Sequence, residues 1–140
     1  MSEDFQGILA IVYNTDIKKW LLISNRKTGN ITFPGGGKED TDKTSIDCLK
    51  REIKEELGLF ERDYSFEKTK IIYEFVYNGK KIERIGQKVK QIVYLVKTSK
   101  QIFNSLDKSV DFLGWFDESE LLNKLTFNDH KEIFKKAIEI

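Results

Sequence analysis

The stretch Gly35–Leu59, GGGKEDTDKTSIDCLKREIKEELGL, constrains the fold of this chain more than any other. It opens on three consecutive glycines, crosses a polar loop and becomes helical from Thr44. Ile46, Leu49, Ile53 and Leu57 recur at intervals of three and four, which predicts one apolar stripe along a helix. Gly58 follows the stripe by one residue and is a natural stop. Glu52, Glu55 and Glu56 stand at i, i+3 and i+4, so their carboxylates share a second face of that helix. Like charges at these spacings destabilise a bare helix by roughly 0.2–0.5 kcal/mol per pair. Acids in a last turn also oppose the helix dipole. A hard divalent cation bound by carboxylate oxygens would offset this, and Arg51, one turn before Glu55, would offset part of it. Taken alone, the glutamates fit a solvated face equally well, because Lys50, Arg51 and Lys54 are interspersed. The glycines change the weighing: they permit positive φ and close backbone approach to an anion or a metal-bound phosphate.

The flanking segments read mostly as strands. Phe5 to Tyr13 and Trp20 to Ile23 are rich in β-branched and apolar residues, with a turn at Asn14-Thr15-Asp16 between them. Asn25 to Asn30 is a polar loop, and Ile31-Thr32-Phe33 is a short strand running into Pro34 and the glycines. Two long β-like runs follow the helix, Lys70 to Tyr77 and Lys81 to Lys97, with Asn78-Gly79 suited to a tight hairpin turn between them. Ile92 to Val96 is apolar on both faces, as a covered central strand is. Val110 to Phe116 reads as a last strand. Helices are expected from Glu118 to Leu122 and from Asp129 to Ile138, with Asn128 as N-cap. The order predicts an α/β fold: a mixed sheet with helices on both faces.

Composition narrows the function classes. At 140 residues the length fits one domain spanning residues 1–140, without metal or disulfide staples. Lys plus Arg total 24 against 23 Asp plus Glu, so the net charge of +1 argues against a general nucleic-acid binder. The single cysteine, Cys48, excludes an intrachain disulfide, argues against a cysteine-based zinc site and makes a reducing, cytoplasmic location the default. No apolar run reaches membrane-spanning length, and the acidic Glu3 and Asp4 before the first apolar stretch argue against a secretory signal. The average charge hides a division. Residues 37–56 carry five basic and seven acidic side chains, a net −2, whereas residues 67–100 carry nine basic and three acidic, a net +6. With an acidic segment beside a basic one, the near-zero average does not argue against an anionic substrate.

The glycine-to-helix segment resembles the Nudix box, Gly-x5-Glu-x7-Arg-Glu-hydrophobic-x-Glu-Glu-x-Gly-hydrophobic. Arg51, Glu52, Ile53, Glu55, Glu56, Gly58 and Leu59 match its second half, and Gly37 matches the opening glycine. The box covers residues 37–59, and the flanking strands and the Phe33-Pro34-Gly35-Gly36 approach also look like the family. One position departs: Lys43 stands where the family has its first glutamate, and lysine cannot bind a cation. Asp42 is adjacent. If Gly36 opens the box instead, Asp42 takes the acidic place, and that compensation is preferred over an inactive protein.

The resemblance implies an α/β/α sandwich with a curved mixed sheet. It implies hydrolysis of a nucleoside diphosphate linked to another group, with Mg2+ (Mn2+ as the alternative). Carried over by position, Glu55 and Glu56 are metal ligands, Glu52 is a ligand or the base, and Arg51 orients Glu52. The Gly37 or Gly36 carbonyl adds an oxygen ligand, and Gly36, Lys38 and Tyr77 are expected at the substrate. Asp107 and Asp111 are alternative bases and otherwise ordinary surface acids. The ADP-ribose branch carries a proline after the box, and this chain has none after Pro34. The dinucleoside polyphosphate branch places a tyrosine about where Tyr77 stands, eighteen residues after Leu59. There it can stack on a base; packing beside the turn is the plain alternative. The length and the helix carrying Asp129-His130-Lys131 also look like small diadenosine tetraphosphate hydrolases. A nucleoside triphosphate, the 5′-triphosphate end of an RNA, and a nucleotide-binding module without turnover remain the alternatives. Monomer and homodimer are both open. His130 is expected on the surface of the last helix, Cys48 as buried packing, and Trp20 and Trp115 in the core or its rim.

Overall fold

The computed structural model describes residues 3–78, 82–101, 103 and 107–139. Among the described residues, seven strands and three α-helices follow one another: β1 Gly7–Asn14, β2 Lys19–Asn25, β3 Ile31–Thr32, β4 Gly35–Gly37, α1 Ser45–Leu57, β5 Tyr64–Val76, β6 Lys88–Thr98, β7 Val110–Phe116, α2 Glu118–Lys124 and α3 Asn128–Ile138. The strands form one mixed sheet in the order β3-β2-β1-β6-β5, with β4 added to β1 and β7 to β2. β1 runs parallel to β6 along the whole of β1, from Gly7 opposite Gln91 to Asn14 opposite Thr98. The first half of β1 pairs on its other side with β4 and its end with β2, so the sheet splits there.

Period-two alternation on β1 supplies both cores. Ile8, Ala10 and Val12 face α1 through Leu49, Ile53 and Leu57. Leu9 and Ile11 face the other way, onto Leu121 of α2 and Ile133, Phe134 and Ala137 of α3. The result is the expected α/β/α sandwich. β6 is buried on both faces at Ile92, Val93, Tyr94 and Val96, as its continuous apolar run predicts. Among the described residues no helix is long and apolar enough to cross a membrane.

Several expectations need correction. Ile46 is 37% exposed, and Cys48 with Ser45 takes its place on the buried face of α1. Thr44 caps the helix in a reciprocal capping box with Asp47. Gly58 closes it at φ 70°. β5 begins at Tyr64, earlier than its apolar run suggests. It crosses a register shift between Lys68 and Ile72, where the Thr69 hydroxyl donates to the Val93 carbonyl at 2.6 Å. The strand expected from Lys81 starts only at Lys88, because Ile82–Arg84 forms a 3₁₀ turn. Tyr77 pairs with Gln87 and Gly86, so the connection is longer than a two-residue Asn78-Gly79 turn. Gly79 itself lies outside the described residues. Asn128 is the first helical residue of α3 and not its cap.

Candidate active site

The three glycines form β4, and none of them has positive φ. The requirement they meet is close approach. A Cβ on Gly35 would strike the Ile8 carbonyl of the neighbouring strand, and one on Gly36 would lie 2.6 Å from the Glu52 carboxyl carbon. Glycine at position 36 therefore leaves the space in which the Glu52 carboxylate sits. β4 lies along β1 and under α1, which aims the helix's acidic face at the strand's backbone.

Arg51 is the hub of the helix end. Its Nη2 donates to Asp42 and to the Gly37 carbonyl, both at 2.8 Å, and its Nε reaches Asp42 at 3.1 Å. Its Nη1 donates to Glu52 at 3.0 Å and to Glu55 at 3.2 Å. Asp42 is only 4% exposed and also accepts from the Glu39 N–H. Burial works to raise its pKa, but the bonds from Arg51 and Glu39 outweigh that and leave it below the ordinary carboxylate value. Burial likewise opposes the charge on Arg51, and its bonds to Asp42 with the field of Glu52 hold it protonated. Lys43 points into solvent. The carboxylate beside the departing lysine thus holds the arginine.

Glu52 and Glu56 are 8% and 5% exposed, so the solvated-face reading fails for two of the three glutamates. Glu55 is half-exposed. Burial raises both buried pKa values, and the mutual repulsion of the pair raises Glu56 further. The two carboxyls approach closely enough to share a proton. Glu56 also accepts the Gly35 N–H at 3.0 Å. The backbone N–H of Asp107 meets the Glu55 carbonyl, and the Asp107 charge adds to the pressure on Glu56. Asp111 is remote from this end of the helix, on β7 in an ion pair with Arg26 at 2.7 Å.

Two adjacent buried carboxyls that repel each other are a natural seat for a hard cation. Among the described residues no three acidic, cysteine or histidine groups converge as a ready-made cage, and Arg51 Nη1 lies between Glu52 and Glu55. Mg2+ needs no such cage, since it takes one or two carboxylates and keeps waters or substrate phosphates for the rest. The donor set fits it. The Gly37 carbonyl accepts from Arg51 Nη2 at 2.8 Å.

A cavity of about 510 Å³ opens on the other side of Gly35 and Gly36. Its walls include Phe33, Tyr73, Phe75, Tyr77, Phe127 and His130. Tyr77 thus stands near the glycines, with the Arg84 guanidinium 4.7 Å over its ring. Lys38 is not part of this wall; its ammonium lies 4.7 Å over the Phe5 ring. His130 is buried, contrary to the surface position expected of it, because Phe33, Tyr73 and Phe127 close around it. Cys48 is buried as expected, with its thiol pushed up to about 12, chiefly by burial. Sequence reasoning missed Tyr73, Phe127 and His130 as cavity walls. The alternation Tyr73, Phe75 on one face of β5, continued by Tyr77 just past its end, was the available signal.

Comparison with known proteins agrees with this geometry. A NUDIX domain model matches residues 5–137. The chain is 29% identical over 111 residues, 77% of its length, to an mRNA-decapping enzyme subunit 2 of Saccharomyces cerevisiae, of which the match covers only 10%. Its fold superposes on an Escherichia coli dihydroneopterin triphosphate pyrophosphohydrolase with a TM-score of 0.74 at 16% identity, covering 96% of this chain and 97% of the other. A Caenorhabditis elegans Ap4A hydrolase superposes with a TM-score of 0.71 at 14% identity, covering 96% of each chain. With the glycine strand, the arginine hub and the buried glutamate pair in place, the match over residues 5–137 shows that the chain belongs to the Nudix hydrolase family.

Proposed function

We propose that the chain is a Mg2+-dependent pyrophosphohydrolase that cleaves a nucleoside diphosphate linked to a further group, with a dinucleoside polyphosphate such as diadenosine tetraphosphate as the preferred substrate. The observation that carries the reading is the buried Glu52–Glu56 pair held against Gly35 and Gly36. A bound Mg2+ would screen the phosphate charge and acidify the attacking water. Glu52 and Glu56 would hold it, with Glu55 at the exposed edge. Arg51 fixes the Glu52 carboxylate through Nη1 and is itself fixed by Asp42, so it acts as a positioning residue. If Glu52 is the base and not a ligand, its ionised carboxylate would accept a proton from the attacking water. The Gly35 N–H keeps Glu56 turned inward. Asp42, bonded to Arg51, would supply the acidic partner that Lys43 lacks, which favours turnover over a module that only binds nucleotide.

The choice of substrate rests on Tyr77 standing at the cavity beside the glycines, where a base can stack. A second reading is the 5′ end of an RNA. It draws on the basic 67–100 segment and on the similarity to a decapping subunit. A panel of diadenosine tetraphosphate, nucleoside triphosphates, and capped and triphosphorylated RNA, assayed with Mg2+ and product analysis, separates them. The expected result is Mg2+-dependent release of nucleotides from diadenosine tetraphosphate, lowered by orders of magnitude in Glu56→Gln. Full activity in that variant would sink the metal assignment, and preference for RNA would replace the substrate.

A further inference from the structure

The outer side of α1 borders a second cavity, of about 580 Å³, which shares no lining residue with the aromatic cavity beside the glycines. Lys50, Arg51 and Lys54 of the helix line one side of it, and Phe60, Arg62 and Tyr64 line the other. Lys50 and Lys54 stand at i and i+4, so they share a face of the helix. Gly58 then turns the chain so that Glu61, in the 3₁₀ turn Glu61–Asp63, meets Lys50 at 2.8 Å. Two rings stand exposed on this surface, Phe60 at 48% and Phe66 at 38%. Cations lie over both. Lys54 Nζ is 5.5 Å and the Arg62 guanidinium 5.2 Å from the Phe60 ring centre, and Lys50 Nζ is 5.9 Å from that of Phe66. Tyr64 lies between them in sequence, with its ring 6.3 Å from Phe66. Lys50 has Glu61 as its counter-ion, whereas Lys54 and Arg62 form no ion pair among the described residues. Exposed cation–π contacts contribute little to folding, so stability is a weak reason to gather two unneutralised cations around an exposed ring.

We propose that this side of α1 is a binding track for single-stranded nucleic acid, with Phe60 as a stacking platform and Lys54 and Arg62 on the backbone phosphates. Exposed rings interleaved with cations are what a single strand uses, since its bases are free to stack while its phosphates seek positive charge. An inorganic anion would engage the cations and leave the rings in water. A duplex would offer its backbone but keep its base faces stacked. The chain as a whole carries a net charge of only +1, so the track is a local feature and not general basicity. Its position adjoins the acidic end of the helix. Arg51 lines the cavity, and its Nη1 donates to Glu52 and Glu55. A strand with its 5′ phosphates at the acidic pair would therefore continue past Arg51 onto Lys54 and Phe60. That continuity deepens the RNA reading, but binding on the track does not depend on turnover.

The test uses a short oligouridylate with a 5′-hydroxyl and a fluorophore at its 3′ end, which offers no pyrophosphate to cleave. Fluorescence anisotropy of the full chain without metal, at low salt, should show saturable binding. The same strand annealed to its complement should bind about tenfold more weakly, because stacking is lost. Inorganic tripolyphosphate should compete poorly. Phe60→Ala should weaken binding about tenfold, and Phe60→Trp, which keeps a platform, should restore it. Lys54→Gln and Arg62→Gln should each lower the slope of log Kd against log salt by about 0.7, the share of one phosphate contact on a single strand. These side chains stand outside the acidic site, so circular dichroism and hydrolysis of a small substrate should be unchanged in all four variants. Absence of binding at low salt overturns the proposal. So does a duplex or tripolyphosphate that binds as well as the single strand, which would mean a bare anion site. Binding unchanged in the Phe60→Ala, Lys54→Gln and Arg62→Gln triple variant would place the strand elsewhere and overturn it too. Oligouridylate binding by a protein that hydrolyses nothing would refute the hydrolase reading and leave the track, whereas turnover without oligouridylate binding would do the reverse.

Discussion

Gly36 marks the point where one methyl group decides the site. The residue is extended and not left-handed, so alanine meets no backbone penalty there. The conflict is with Glu52, whose carboxyl carbon lies 2.6 Å from where the new Cβ would stand. The carboxylate is buried and bonded to Arg51, so it cannot swing away without losing that bond. Gly36→Ala is expected to lower kcat by about 10²-fold, since a displacement near 1 Å at a reacting group costs that much. Steady-state kinetics on the best substrate, with circular dichroism to establish that the fold is retained, checks it; unchanged kcat would mean that Glu52 is not the critical group. The sequence showed that three glycines were needed but not why. Glycine is a poor strand former, so pattern reading assigns such a run to a loop with positive φ. The actual cause is a carboxylate from another element, and long-range contacts of that kind leave no local trace. His130 was misplaced for the same reason, because the rings that bury it come from β5, from the segment before β4 and from the residue before α3.

At the scale of the element, α1 and the loop before it act as one unit through Arg51. The helix was legible: its stripe, its glycine stop and its acidic face all follow from spacing, with Ile46 the one misassigned position. The brace was half legible, because the sequence offered Asp42 only as a neighbour of the lysine that breaks the motif. Asp42→Ala removes three bonds to Arg51 and one to Glu39 and leaves a partly buried guanidinium with surplus charge. It is expected to cost about 2–4 kcal/mol in urea unfolding, below the full cost of breaking a wholly buried pair because Arg51 also holds Glu52 and Glu55. Lys43→Ala is expected to change stability by less than about 0.5 kcal/mol, as exposed substitutions do. The opposite ranking of the two variants would place the brace at position 43. Asp42 has a depressed folded pKa, so its contribution is present above the ordinary carboxylate range and is lost as pH falls through the folded value.

For the whole molecule, the layered fold followed from the order of strand and helix patterns, while the β5–β6 connection did not. Tyr64 to Thr69 mixes Tyr64 and Phe66 with four polar residues on an edge strand, and the 3₁₀ turn at Ile82–Arg84 interrupts what reads as a continuous β run. What the fold builds around β4 is a stability cost placed at one point. Glu52 and Glu56 bind protons more tightly when folded than the ordinary 4.5, so the native state holds more protons than the unfolded state above that pH. Stability without divalent cations therefore falls as pH rises from about 4.5, because the slope follows the excess of protons bound by the unfolded state, here negative. Other groups bound the window for a clean measurement. Asp42 and Glu3, the latter held at about 2 against its burial by Lys68 and Ser45, lose their contributions only in acid. His130, depressed by burial, adds a rise with pH that ends near its ordinary 6.5, and Cys48 enters only above its ordinary 9.0. Between pH 7 and 8.5 the glutamate pair dominates. Thermal melts of metal-free protein should fall across that interval, and millimolar Mg2+ should reverse the fall, since the cation binds the ionised pair. Glu56→Gln keeps an acceptor for the Gly35 N–H and a donor toward Glu52 while removing the titrating carboxyl. It should melt higher than the native chain at pH 8.5 without metal, by about 1–3 kcal/mol, respond little to Mg2+ and have lost its activity. A variant that is less stable in the metal-free state would mean that the pair is held together for folding, and that the metal assignment drawn from its strain is wrong.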